Sequence, residues 1–137
     1  MTLLSFAVLV IVAHQTGEEI ADFDGLAKRS PFLAFAMLIG MVSLAGVPFM
    51  AGFLGKFYIF YAAVLQRQIA LVVVGVLTVG CGFYYYLKVV RAVYWQSTTN
   101  LTKIPVTGLS RLAISALVIA TIWLGVYPHP IFDALKR

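Results

Sequence analysis

Ser30-Pro31-Phe32-Leu33-Ala34-Phe35-Ala36-Met37-Leu38-Ile39-Gly40-Met41-Val42-Ser43-Leu44-Ala45-Gly46-Val47-Pro48-Phe49-Met50-Ala51-Gly52-Phe53-Leu54-Gly55-Lys56-Phe57 is the stretch whose reading decides the fold. It is apolar, it has a Gly/Pro fault in its middle, and a single lysine follows the fault. The apolar run goes on to Leu65, so it holds 35 residues from Pro31. As one continuous helix it would reach about 50 Å, well beyond a hydrocarbon core of about 30 Å. Two arrangements remain: two short spans meeting near Pro48, or one span that is locally unwound.

Charge sidedness separates them. With one span, the loops on one side hold Lys28, Arg29, Lys88, Arg91, Lys103 and Arg111, against Arg67, Lys136 and Arg137 on the other, a bias of six to three. With two spans the split is five to four, which is no bias. The expectation is therefore one span, about 31–65, discontinuous at Gly46-Val47-Pro48. The side holding Gly17 to Arg29 and Ser97 to Gly108 is expected to face the cytoplasm.

Composition agrees with a membrane setting. The chain has 137 residues, 62% hydrophobic and only 11% charged, with mean hydropathy +0.98. Soluble domains average about 25% charged residues. The net charge of +5 points to anionic lipid at span ends rather than to nucleic acid. A lone cysteine, Cys81, excludes an internal disulfide and a four-cysteine metal site, and reads as a small packing residue. Met1 leads straight into apolar residues with no basic segment, so no signal peptide is expected.

The flanking segments read as follows. Leu3 to Ala13 has about half the residues of a span and reads as the tail of a longer helix. Gly17 to Arg29 holds four of the five acids, Glu18, Glu19, Asp22 and Asp24, without cation-loop spacing, and reads as a solvated connector. Ser30 is expected to cap the next helix and Pro31 to occupy its first turn. Gln66-Arg67-Gln68 reads as a tight turn and Ile69 to Trp95 as a span. Thr78 and Gly82 on that span are expected to let a neighbouring helix approach, and Tyr84, Tyr85, Tyr86, Tyr94 and Trp95 to mark an interface. Ser97 to Gly108 is a polar loop; its sequon Asn100-Leu101-Thr102 is discounted because it falls on the cytoplasmic side. Leu109 to Tyr127 is the last span, stopped by Pro128 and Pro130. The fold class is all-α and integral to the membrane: one partial and three full helices in a single domain, 1–137.

The chemistry centres on Lys56. It lies ten residues before Gln66, about 15 Å of helix, or half the core thickness. A lysine at the midplane costs about 2.5–3.5 kcal/mol or more and is characteristically functional. Pro48 has no amide proton, so the Leu44 carbonyl loses its helical partner, while Gly46, Gly52 and Gly55 let the backbone bend and let water or neighbours approach. Burial disfavours a charged lysine and a nearby carboxylate favours it. A lysine held between the two can pass protons without any cofactor. No acid lies in any span, so the carboxylate is expected from outside the chain. Lys88 is the secondary relay candidate, close enough to an interface to snorkel. His14 and His129 sit at span ends without metal-ligand spacing. No cofactor or metal site is expected in this chain.

Gly25-Leu26-Ala27-Lys28-Arg29-Ser30-Pro31, Ser43-Leu44-Ala45-Gly46-Val47-Pro48 and Gly52-Phe53-Leu54-Gly55-Lys56-Phe57 resemble the subunit N family of bacterial NADH-quinone oxidoreductase, the antiporter-like subunits of respiratory complex I. Tyr84-Tyr85-Tyr86-Leu87-Lys88-Val89-Val90 is similar to that family's penultimate helix. The resemblance implies a bundle of fourteen transmembrane helices, of which this chain would be the last part, from late in helix eleven. It implies that Lys56 matches the family's lysine on the second discontinuous helix and that Gly46-Val47-Pro48 matches its unwound segment. It implies a translocase subunit in the bacterial inner membrane, partnered by other complex I membrane subunits. NADH, FMN, iron–sulfur clusters and quinone would then be handled elsewhere in the complex. Two other readings stand beside it: a subunit of a multisubunit cation/proton antiporter, and a membrane assembly protein that transports nothing.

Overall fold

The computed structural model describes residues 1–17, 19–48, 50–96 and 103–127. His129, the sequon, the two prolines after Tyr127 and the basic tail lie outside them. The described residues are helical, without strands: α1 (Thr2–Ala13), a 3-10 turn (Ile20–Phe23), α2 (Leu26–Arg29), α3 (Pro31–Ala45), α4 (Ala51–Leu65), α5 (Ile69–Trp95) and α6 (Gly108–Val126).

α5 and α6 are long and apolar enough to cross a membrane. α3 and α4, of 15 residues each, reach only about 22 Å apiece. Both pack against α5. Near one end of α5 the Gly25 amide donates to the Ala92 carbonyl at 3.1 Å, just ahead of α3. Near the other end Gly75 lies against the Phe60 ring of α4; an added Cβ there would meet it at 2.6 Å. α3 and α4 therefore follow one another along a single 27-residue helix that runs antiparallel to both. α1 runs antiparallel to α3, from Met1 beside Ser43 to Gln15, whose side-chain amide donates to the Pro105 carbonyl.

The core lies at the end where these connectors meet. Leu4, Val8 and Val12 of α1 recur every four residues and bury against Leu33, Ala34 and Met37 of α3, with Val93 and Ile114 closing the cluster. α4, most of α5 and much of α6 present large apolar side chains outward, among them Ile59, Leu65, Val74, Leu77 and Trp123. Such faces suit lipid or neighbouring helices rather than water.

Four local expectations are corrected. The connector read as solvated is docked onto the core through its later residues: Phe23 and Leu26 are buried, and Arg29, 6% exposed, donates to the Asp22 carbonyl at 3.3 Å. Burial of two apolar side chains outweighs the polar composition around them. Ser30 makes no side-chain cap bond; Pro31, lacking an amide proton, starts α3 without one. Among the described residues, Gly75 rather than Thr78 or Gly82 admits a neighbouring helix. The Thr78 hydroxyl is exposed and donates to its own helix at Val74, and the space beside Gly82 is met by Tyr86 of the same helix. Cys81 is exposed rather than packed, because it lies outside the stretch of α5 that α3 and the connector cover.

Candidate functional site

α3 ends at Gly46, whose φ of 87° and ψ of 38° are left-handed, a conformation glycine adopts without the Cβ penalty. The Gly46 amide donates to the Ser43 carbonyl at 3.1 Å and the Val47 amide to the Val42 carbonyl at 3.3 Å. These two bonds form a Schellman closure. A helix leaves its last four carbonyls without helical partners, and this closure satisfies two of them.

The other two belong to Leu44 and Ala45, and Lys56 takes both. Its ammonium donates to the Leu44 carbonyl at 2.8 Å and to the Ala45 carbonyl at 3.1 Å. Both acceptors are left open because the left-handed turn at Gly46 carries the following residues off the helix; Pro48, without an amide proton, could not serve either of them. The charge also sits at the negative end of the α3 dipole, where a cation is favoured. An added Cβ at Gly46 would lie 3.1 Å from Lys56 Cδ and 3.2 Å from Nζ. The glycine thus closes the helix and leaves room for the lysine. Lys56 is half-buried.

The remaining candidates fall into place around this seat. Val47 and Pro48 lie between the two helices, whereas Gly52 and Gly55 are inside α4. Gly52 is buried against Ser43, and Gly55 is exposed with open space beside it. Lys88 is not brought to Lys56. It is exposed on α5 and lines, with Arg91, Asp24 and Gln96, a cavity of about 390 Å³. His14 is exposed at the end of α1. Within this chain the Lys56 ammonium has two main-chain oxygens as acceptors, a pairing whose signal was the Gly/Pro fault ahead of the lysine. Sequence reasoning missed Ser43 as a separate participant; its signal was a hydroxyl in an otherwise apolar last turn.

Long apolar helices around an interrupted pair, with one lysine seated at the interruption, are the features of a helical membrane protein. The chain belongs to the transmembrane family described as NADH:quinone oxidoreductase/Mrp antiporter, which matches residues 1–82. That match includes Gly46 to Lys56 and stops before Lys88. Over most of its length the chain is similar to NADH-quinone oxidoreductase subunit N. It is 41% identical over 128 residues, 93% of this chain, to that of Desulfitobacterium hafniense. It is 38% identical over 133 residues, 96% of this chain, to that of Desulforamulus reducens. The chain spans about a quarter of the length of these relatives (26% and 28%), in their C-terminal part. Among solved structures it is similar to a chain of respiratory complex I from Thermus thermophilus with bound aureothin. The TM-score is 0.73 at 27% identity, covering 93% of this chain and 31% of that one.

Proposed function

We propose that this chain is the proton-relay portion of an antiporter-like membrane subunit of a proton-pumping NADH-quinone oxidoreductase. On this reading α3 and α4 form one discontinuous span and Lys56 is its titrating group. The observation that carries it is the Lys56 ammonium on the Leu44 and Ala45 carbonyls. Charge-assisted hydrogen bonds of this kind are roughly twice as strong as neutral ones. They hold the protonated lysine at the end of α3; on losing its proton the amine keeps donors but loses the charge that favours the seat. Protonation and the fit of the two half-helices are thereby linked. Lysine suits the task because its charge can be lost in a protein, unlike that of arginine.

The similarity to subunit N over nearly the whole chain supports complex I as the setting. Its other membrane subunits are then the partners, the bacterial inner membrane the location, and one of those subunits the source of a carboxylate facing Lys56. NADH, FMN, iron–sulfur clusters and quinone are handled elsewhere in the complex, and no redox chemistry occurs in this chain. The family description also covers Mrp antiporters, but the relatives reported above are complex I subunits, which favours the first reading over an antiporter or a non-transporting assembly protein.

The test is Lys56→Ala in the complete subunit within its assembled complex. Proton pumping is expected to fall about a hundredfold or more, in the range of a lost acid–base group, with quinone reduction slowed by the coupling and assembly retained. Pumping at the wild-type rate in a normally assembled complex contradicts the proposal.

A further inference from the structure

Both acceptors of the Lys56 ammonium are main-chain oxygens of α3. The lysine's seat is therefore set by how α4 registers on α3, and that register is fastened at one point. Ser43 is fully buried in the last turn of α3. Its hydroxyl accepts a hydrogen bond from the Gly52 amide at 3.3 Å and donates to Met1 Sδ at 3.5 Å. The Gly52 amide lies in the first turn of α4, where no helical acceptor exists, and Met50, which precedes the helix, offers no side-chain cap. Ser43 supplies that missing acceptor from the other half-helix. The backbones also touch: a Cβ at Gly52 would run into the Ser43 carbonyl oxygen. Lys56 follows Gly52 by four residues, one helical turn on the same face. Whatever holds Gly52 to Ser43 also fixes the base of the Lys56 side chain.

We propose that Ser43 is a positioning residue for Lys56: its hydroxyl sets the register of α4 on α3 and so keeps the ammonium on the Leu44 and Ala45 carbonyls. This inference rests on the relay reading of Lys56. The experiment is proton pumping per quinone turnover in the assembled complex, with assembly and thermal stability followed separately. Ser43→Ala is expected to lower pumping about fivefold, the scale of one lost buried hydrogen bond. Ser43→Cys, matched in size but a weak acceptor, falls with it. Ser43→Thr keeps the hydroxyl and recovers pumping to within about twofold of wild type. Unchanged pumping in Ser43→Ala, or an equal loss in the alanine and threonine variants, overturns the role of the hydroxyl. Lys56→Ala measured alongside separates the two claims. If it pumps normally, the relay reading fails and this inference with it; if it fails to pump while Ser43→Ala pumps normally, Ser43 alone is overturned.

Discussion

The Lys56 ammonium lies 2.8 Å from the carbonyl oxygen of Leu44, one of the two oxygens left without a helical donor where Gly46 turns the chain out of α3. The glycine and the lysine, ten residues apart, thus form one device. One frees an acceptor and the other occupies it. The consequences reach beyond the pair, because the occupied acceptor belongs to a helix end that Ser43 also shapes.

Gly46 is the stricter terminator of α3. At φ 87° a side chain costs about 1–2 kcal/mol, and its Cβ would press on the lysine stem. Gly46→Ala is expected to destabilise the subunit by about that amount and to lower pumping. Pro48→Ala leaves the left-handed closure in place and is expected to change stability by less than about 1 kcal/mol. Thermal unfolding of the purified complex compares the two, and a larger effect from the proline variant contradicts this assignment.

Gly75 marks where α4 meets α5. Gly75→Leu drives a branched side chain into the Phe60 ring and is expected to cost about 1–3 kcal/mol by overpacking, with reduced assembly. At Gly82 an added Cβ meets, among the described residues, only Tyr86 of its own helix, and Gly82→Leu is expected to assemble better. Yield of intact complex on native gels ranks them, and equal yields contradict the packing described above.

Lys88→Gln is expected to leave pumping within about twofold of wild type, since an exposed side chain away from the seat has little to lose. A loss as large as that of Lys56→Ala would move the relay to include the cavity beside Asp24.

Orientation follows from the series arrangement of α3 and α4 along α5. Asp24 lies beyond the start of α3 and Gln68 just ahead of α5, about 40 Å apart along that 27-residue helix. Asp24→Cys is expected to label from the cytoplasmic face and Gln68→Cys from the opposite face, as the six-to-three charge bias predicts. Labelling of both from one side contradicts a single discontinuous span.

What was legible in the sequence follows from the range of each interaction. α5 covers the residues read as a span, Ile69 to Trp95, and the turn at Gln66–Gln68 falls where the polar triplet stands. Long apolar runs bounded by polar punctuation leave little choice. Lys56 and the fault around Pro48 stood out because charge and proline are costly in an apolar helix. What stayed hidden depends on contact between separate segments. Phe23 and Leu26 looked like loop residues until the fold gave them a core, and Thr78 and Gly82 could not show which face of α5 a neighbour would use. The Ser43–Gly52 contact arises only once the two half-helices overlap. For the same reason the two acceptors that the break itself provides for the lysine were not foreseen.

The most direct test of the central claim is Lys56→Arg in the complete, assembled complex, read as protons pumped per quinone reduced. Arginine keeps the positive charge and can still cap the Leu44 and Ala45 carbonyls, but it does not lose its proton in a protein. If Lys56 relays protons, the arginine variant assembles normally and pumps as poorly as the alanine variant. If its role is only to hold the end of α3 by charge, the arginine variant pumps at the wild-type rate, and that result would contradict the relay.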